Sequence, residues 1–125
     1  MSERSEIEKL WREEKYAVML HSQKHYIIIR ETLKRDSSLS EVERLIADAK
    51  AHLPTQGSVL NACQHMWGYF KKQATPEEKA RFADLQQAYQ NGEVEREKLL
   101  HFIKHLAEKY QVTYLINSTI LQPYT

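Results

Sequence analysis

The feature that most constrains the fold of this chain is its shortage of residues that interrupt helices. Only three glycines and three prolines occur among 125 residues. No run of alternating apolar and polar residues is long enough to predict a half-buried strand. A chain of this length can bury about two thirds of its unfolded surface. The sequence therefore predicts an all-α protein, folded as a single compact domain over residues 1–125 with five or six helices.

Apolar periodicity and capping residues place these helices along the chain. The first carries an apolar stripe that begins at Ile7 and is predicted to continue to about Lys34. The fourth has the clearest start, because Thr75 can cap, Pro76 favours the first helical position and Glu78 completes a capping box. The other predictions are a second helix from Ser40, capped with Glu43, to residues 52–53, a third from about Ser58 to Thr75, an end of the fourth at 91–92, a fifth over 99–110, a short sixth at 114–116, and an extended tail at 121–125.

Charge and cysteine content exclude several classes of protein. Eighteen basic and seventeen acidic residues leave a net charge of +1, so only a local patch could attract nucleic acid or a membrane surface. Cys63 is the single cysteine, which excludes an internal disulfide and a cysteine-held zinc or iron–sulfur site within this chain alone. We therefore expect no cofactor. The charged N-terminus lacks a secretory pattern, and no apolar run approaches the roughly 20 residues that cross a bilayer, so we expect a cytoplasmic protein without membrane contact.

Histidines fall on the apolar side of the first predicted helix. Helical spacing puts Glu14, His21 and His25 on the same stripe as Trp11 and Val18. A buried polar group needs a hydrogen-bond partner, so two interpretations stay open. Either the histidines are core residues satisfied by backbone carbonyls or by Glu14, or they line a functional cleft formed by His21, Ser22, Lys24, His25 and Tyr26.

A second histidine pair, His101 and His105, has the same spacing and raises the question of a zinc site. Both are predicted on a solvated face together with Lys98 and Lys104, away from the apolar stripe of their helix. The glutamate of a zinc-protease helix is also missing between them. The sequence therefore predicts no metal site.

The third predicted helix carries a polar stripe at helical spacing on the side away from Met66 and Phe70: Asn61, His65, Gly68 and Lys72. A glycine in mid-helix costs about 1 kcal/mol relative to alanine, so Gly68 requires a compensating reason. Close packing of another helix and close approach of a ligand are both open.

Basic and aromatic residues occur together in two segments. Between His21 and Arg35, Lys24 and Arg30 belong to a basic run with one acid, and Lys71 and Lys72 follow the third helix. A solvated helix face is the ordinary meaning of such a run. The neighbouring aromatics favour a second interpretation, in which lysines contact phosphates while unpaired bases stack on Tyr26, Trp67 or Tyr69.

Catalytic motifs are missing from the sequence. Ser22 lies beside His21 and His25, but in a continuous helix these side chains are expected to point in different directions, and no glycine-rich oxyanion loop follows. There is also no phosphate-binding glycine loop, paired acidic motif or dinucleotide fingerprint.

Several motifs together resemble the YbgA-like family of bacterial domains of unknown function. They are Leu20-His21-Ser22-Gln23-Lys24-His25-Tyr26, His65-Met66-Trp67-Gly68-Tyr69-Phe70-Lys71-Lys72, Glu78-Lys79, Tyr89-Gln90-Asn91-Gly92, Tyr114-Leu115 and Leu121-Gln122-Pro123-Tyr124. Where the family usually ends Pro-Tyr-Pro, this chain has Pro123-Tyr124-Thr125.

The resemblance implies a role together with an enzyme that acts on modified RNA bases. Such domains occur alone, or at the carboxyl end of fusions with an iron–sulfur desulfurase domain that acts on thiolated uracil or on thiouridine in transfer RNA. The implied site comprises the motif positions His21, Ser22, Lys24, Tyr26, Trp67, Gly68, Tyr69, Lys71, Tyr114 and Tyr124.

We therefore expect a non-enzymatic module that recognises RNA, transfer RNA above all, or positions a substrate for a separate desulfurase-type partner. The polar stripe residues Asn61 and His65 and the neighbouring His25, Arg30 and Lys72 complete the expected binding site. Two alternatives stay open: a small acid–base enzyme that uses the histidine cleft, and a protein-binding adaptor. A homo-oligomer is also left open.

Overall fold

The computed structural model describes residues 2–124; Met1 and Thr125 lie outside that part of the chain. Within it there is no strand, which confirms the all-α prediction. The number of helices is seven rather than five or six, because the first predicted helix is divided in two. The helices are α1 (Glu3–His21), α2 (Gln23–Thr32), α3 (Leu39–Lys50), α4 (Gln56–Trp67), α5 (Pro76–Gln90), α6 (Arg96–Lys109) and α7 (Thr113–Ile116).

The division falls at Ser22, where a continuous helix to about Lys34 was predicted. Ser22 has extended backbone angles (φ −161°, ψ 106°) and serves as the N-cap of α2. The chain reverses there, since Tyr26 stacks on Trp11 and Arg4 donates to the carbonyl of Leu33. Serine competes for backbone hydrogen bonds, which favours it at caps over helix interiors. The predicted helix is therefore a hairpin of two helices.

Helix α1 is the central element of the fold. Five consecutive residues, 16–20, are buried, so α1 is covered on every side over this stretch. On one side Met19 and Leu20 pack into a hydrophobic cluster shared with α4, α5, α6 and α7. On the other side Val18 joins a smaller cluster with α2 and α3 that includes Ile29 and Val42. Helix α4 therefore lies against α1 and presents its opposite face outward.

Capping side chains set the helix starts. The capping box of Thr75 and Glu78 is confirmed, and so is the helix end near Gly92, which has φ +74°. Helix α3 begins earlier than predicted, because Ser38 rather than Ser40 accepts the N–H of Glu41. Helix α4 also begins earlier, with a capping box between Thr55 and Ser58, and ends at Trp67 rather than Thr75.

The C-terminal tail is not extended as predicted. Backbone hydrogen bonds from Leu121 N–H to the Ser118 carbonyl and from Tyr124 N–H to the Leu121 carbonyl form consecutive turns. Lys104, predicted on a solvated face, is 8% exposed and donates to the Leu121 and Tyr124 carbonyls at 3.3 and 3.0 Å. The tail covers Lys104, and helical spacing alone could not show this.

In residues 2–124, none of the helices combines the length and the apolar content that crossing a membrane requires.

Candidate functional site

Ser22 and His25 face each other at the α1–α2 reversal. The Ser22 Oγ accepts the backbone N–H of His25 at 3.2 Å and lies 2.8 Å from its Nδ1. Since Oγ already accepts one hydrogen bond, its own hydrogen is free to point at Nδ1. The expectation that these side chains point in different directions is therefore wrong for Ser22 and His25, which meet as the N-cap and the third residue of α2.

His21 is anchored to the loop between α3 and α4. Its Nδ1 lies 2.8 Å from the His52 carbonyl, and because a carbonyl only accepts, Nδ1 carries the hydrogen. The rings of His25 and His52 have centroids 4.6 Å apart. Glu14 is engaged elsewhere, by Lys50 and by the Thr119 hydroxyl. His21 therefore has the backbone-carbonyl partner of the first interpretation, but it is half-buried rather than a core residue, and it also lines a groove.

The first groove beside α4, which we call the hairpin groove, has a volume of about 710 Å³. Asn61 donates to the Gln23 Oε1 at 3.0 Å, and Ser58 Oγ donates to the Leu20 carbonyl at 2.7 Å. These bonds join α4 to the α1–α2 reversal. The groove is lined by His21, Ser22, Gln23, Lys24, His52, Leu53, Thr55, Gly57, Ser58 and Asn61, none of them acidic.

The second groove, which we call the α4–α5 groove, has a volume of about 580 Å³. Trp67 stacks on Phe82 with ring centroids 4.5 Å apart and an interplanar angle of 16°. The Gln64 Nε2 donates to the Gln86 Oε1 at 2.8 Å. The lining is again free of carboxylates and consists of Gln64, Trp67, Gly68, Lys71, Lys79, Phe82, Ala83 and Gln86.

Gly68 lies at the C-cap of α4 rather than in mid-helix. A Cβ built there would lie 3.2 Å from the His65 carbonyl oxygen and 3.9 Å from that of Gln64, and no atom of another helix comes within 4 Å. Close packing of a neighbouring helix therefore does not explain the glycine. Gly68 opens directly into the α4–α5 groove.

Two of the predicted tyrosines, Tyr69 and Tyr114, form a separate cluster with Tyr16. The hydroxyls of Tyr16 and Tyr69 are 3.0 Å apart, and the Tyr69 and Tyr114 rings stack at 5.8 Å. Burial, with the hydrogen bond to Tyr69, raises the pKa of Tyr16, and burial raises the pKa of Tyr114. Tyr26 stacks on Trp11 and carries the Arg30 guanidinium over its ring at 5.7 Å. Tyr69 is 40% exposed.

The sequence-predicted site is thus distributed over several places. His21, Ser22, Lys24 and Asn61 lie together in the hairpin groove, with His25 bonded to Ser22. Trp67, Gly68 and Lys71 lie in the α4–α5 groove. Exposed positions outside both grooves are His65 and Lys72, whereas Tyr124 lies in a third groove with Glu93, Glu95 and Glu97. The motifs therefore do not share a single cleft.

A comparison with protein families identifies the family to which the chain belongs. Residues 15–125 match the family described as "Protein of unknown function (DUF1722)". The chain belongs to this family. Every residue of the predicted site lies within the matched range. No curated protein and no solved structure matches the chain.

Membership in DUF1722 agrees with the resemblance to YbgA-like domains of unknown function. The match includes residues of the grooves that sequence reasoning missed, such as His52, Gln64, Lys79 and Gln86. Lys79 and Gln86 share one face of α5 by helical spacing, a signal that the sequence contains. Their partnership with α4 depends on tertiary packing and has no local signal.

Proposed function

We propose that this DUF1722 domain is a non-enzymatic module that binds RNA, with transfer RNA as the first candidate, along the exposed face of α4. One observation carries the proposal: none of the described residues that line the two grooves beside α4 has a carboxylate, and Lys24, Lys71 and Lys79 are among them. The phosphate backbone of RNA is the ligand that such a surface attracts most strongly.

The charge distribution supports the same proposal. The chain has nearly equal numbers of basic and acidic residues, so a face without carboxylates requires the acids to gather elsewhere. Glu93, Glu95 and Glu97 do so at the start of α6 and in the loop before it. Lys24, Lys71 and Lys72 form no ion pair within residues 2–124. Their positive charge is available to a ligand.

The chemistry would come from a partner, and the resemblance points to an iron–sulfur desulfurase-type protein. Cys63 is fully buried, and desolvation raises the pKa of its thiol to about 12. It therefore offers no accessible thiolate to a cluster. In this proposal the domain holds the RNA while the partner supplies the reaction.

The two alternative functions have unequal support. A histidine with a carboxylate partner would favour an acid–base enzyme, whereas His21 bonds a backbone carbonyl and His25 bonds Ser22. A protein-binding adaptor is favoured by one observation, the exposure of Ile27 (44%) and Ile28 (37%) on α2. It is the second candidate.

The test is a fluorescence titration of labelled transfer RNA at 50 and 200 mM salt, with the wild type, a Lys24→Ala/Lys71→Ala/Lys72→Ala variant and a Lys98→Ala control from the acidic groove. Three phosphate contacts account for a loss of about 20- to 40-fold in affinity between these salt concentrations. We expect the triple variant to bind at least tenfold more weakly at 50 mM and to lose that part of the salt dependence, while the control binds as the wild type does.

Micromolar or tighter binding that persists in the triple variant would refute the proposed face. If the wild type does not bind RNA even at 50 mM salt, the adaptor function takes its place.

A further inference from the structure

We infer that the α4–α5 groove is the binding site for one unpaired nucleotide, with its base beside Trp67 and its phosphate at Lys71 and Lys79. This inference rests on the proposed RNA binding and specifies which part of an RNA the domain reads.

The groove has chemically different ends. Helices α4 and α5 are antiparallel along it, since Gln64 bonds Gln86 at one end and Trp67 stacks on Phe82 further along. Continuing in the same direction, the lining ends with Lys71 on one side and Lys79 on the other. From position 79 to 86 the helix axis rises about 10 Å. Amides therefore lie at one end, aromatic rings in the middle and cations at the other end, which matches the order of base edge, base and phosphate in a nucleotide.

The middle of the groove has room for a flat ring. Gly68 and Ala83 lie there, and nothing from a neighbouring helix approaches the place of a Cβ at position 68. Trp67 is half-buried, and its ring stacks on that of Phe82. Unpaired bases bind proteins by stacking on aromatic side chains held in this manner. The small residues leave the space that such a base requires.

The amide end can read a base edge. Because Gln64 Nε2 donates to Gln86 Oε1, the Oε1 of Gln64 is left to accept and the Nε2 of Gln86 to donate. Neither of these two atoms has another partner among the described residues. One acceptor and one donor can complement a base edge that presents a donor next to an acceptor. A base that reaches these amides while it stacks beside Trp67 has left the stack of a duplex, so the ligand is an unpaired nucleotide.

The cationic end is free to bind phosphate. Neither Lys71 nor Lys79 has a carboxylate within 4 Å in residues 2–124, and both are exposed. Two ammonium groups at one end of a groove with no acid in its lining attract a phosphate and place it away from the amides. The same two lysines would contact the backbone of a longer RNA.

The first experiment uses free nucleotides. Trp11→Phe leaves Trp67 as the single tryptophan, and its fluorescence is titrated with AMP, GMP, CMP and UMP, and with ribose 5-phosphate as the probe without a base. We expect saturable quenching by at least one nucleotide, binding at least fivefold weaker in Lys71→Ala/Lys79→Ala, and loss of binding in Gly68→Leu, which fills the groove. Ala80→Leu, an exposed position of α5 outside the groove, should bind as the parent does.

Two further measurements make the result decisive. The indole N–H signal of Trp67 and the side-chain amide signals of Gln64 and Gln86 in the wild-type NMR spectrum should shift with nucleotide, a readout that needs no variant. If no nucleotide shifts these signals, or if ribose 5-phosphate acts as strongly as every nucleotide, the inference is overturned.

The RNA arm separates this inference from the proposed function. Gly68→Leu should weaken binding to an RNA hairpin with an unpaired loop at least fivefold, while binding to a blunt RNA duplex and its salt dependence stay as in the wild type. If wild type and Gly68→Leu bind the hairpin equally and the lysine variants still bind it more weakly, the nucleotide site is refuted but the proposed RNA binding is not. If the wild type binds neither RNA, both proposals are refuted.

Discussion

Replacing Ser22 by alanine tests the reversal that creates the hairpin groove. Ser22 is the one residue between α1 and α2, and its side chain accepts the first-turn N–H of His25. Alanine retains a small side chain and favours helix, but it cannot cap. The substitution therefore removes the two side-chain hydrogen bonds of Ser22 while adding no bulk.

The expected loss can be worked out from two hydrogen bonds. Loss of a serine N-cap typically costs about 1 kcal/mol. The bond between Ser22 Oγ and the His25 Nδ1 is half-buried, so replacing it by water costs about 0.5 kcal/mol, the low end for such a bond. For 125 residues, an unfolding entropy of about 2.1 cal/mol/K per residue converts each kcal/mol into roughly 4 °C. We expect Ser22→Ala to lower the melting temperature by about 4–8 °C.

The assay is thermal unfolding followed by circular dichroism, with Ser22→Asp as the matched control. Aspartate caps helices as well as serine does, so the control should melt within about 2 °C of the wild type. In a double-mutant cycle, His25→Ala should lose part of its effect when Ser22 is already alanine, because the shared bond is gone. An unchanged or raised melting temperature in Ser22→Ala would refute the reasoning, since it would mean that the chain gains from a continuous helix.

Two further predictions concern the packing around α6. The hydrogen bonds from Lys109 and Tyr110 lower the pKa of Glu78 to about 2, below its value in the unfolded chain. Its stabilising effect is therefore complete above about pH 5 and is lost as the pH falls toward 2. Thermal melts from pH 7 to pH 2 should show this loss in the wild type and a flatter profile in Glu78→Gln, which keeps the capping geometry; identical profiles would contradict it. Lys104→Met should leave the carbonyl of Tyr124 without its donor, cost about 1–3 kcal/mol, and speed amide hydrogen exchange in residues 118–124 ahead of the helices. Unchanged exchange there would show that Lys104 does not hold the tail.

Local signals in the sequence predicted the elements whose ends depend on neighbouring residues. The start of α5 follows from Thr75, Pro76 and Glu78, which lie within four positions of one another. The break at Ser22 has no comparable signal, because serine inside an apolar period is only mildly unfavourable to a helix. The break depends instead on the packing of Ile29 and Val42 against α1, because this packing stabilises the fold by more than the helix propensity of one residue can.

The candidate site shows the same division. Helical spacing correctly placed Asn61, His65 and Gly68 on the exposed side of α4. It could not show that Gln86 lies opposite Gln64, because that contact joins residues 22 positions apart. The prediction of an exposed Lys104 is wrong for the same reason, because the tail that buries this side chain lies 17 residues away in the sequence.

The composition of the α4 face is the strongest reason to expect a ligand there. The inner side of α4 already meets the needs of the fold through Val59, Ala62, Cys63 and Met66, all of them buried. If the outer face of α4 bound nothing, alanine, glutamate or lysine would give the helix its highest stability there. Two of the three glycines of the chain occur there instead, Gly57 and Gly68, although neither has the positive φ that requires glycine at position 92. Each lies in the lining of one of the two grooves, where its missing side chain leaves the backbone open. Gly57 lowers helix stability and no packing contact requires it, so its place in a groove supports the proposed ligand. Gly68 lies at the C-cap, where a Cβ would crowd the His65 carbonyl oxygen at 3.2 Å, and the opening that it leaves into the α4–α5 groove supports the same proposal.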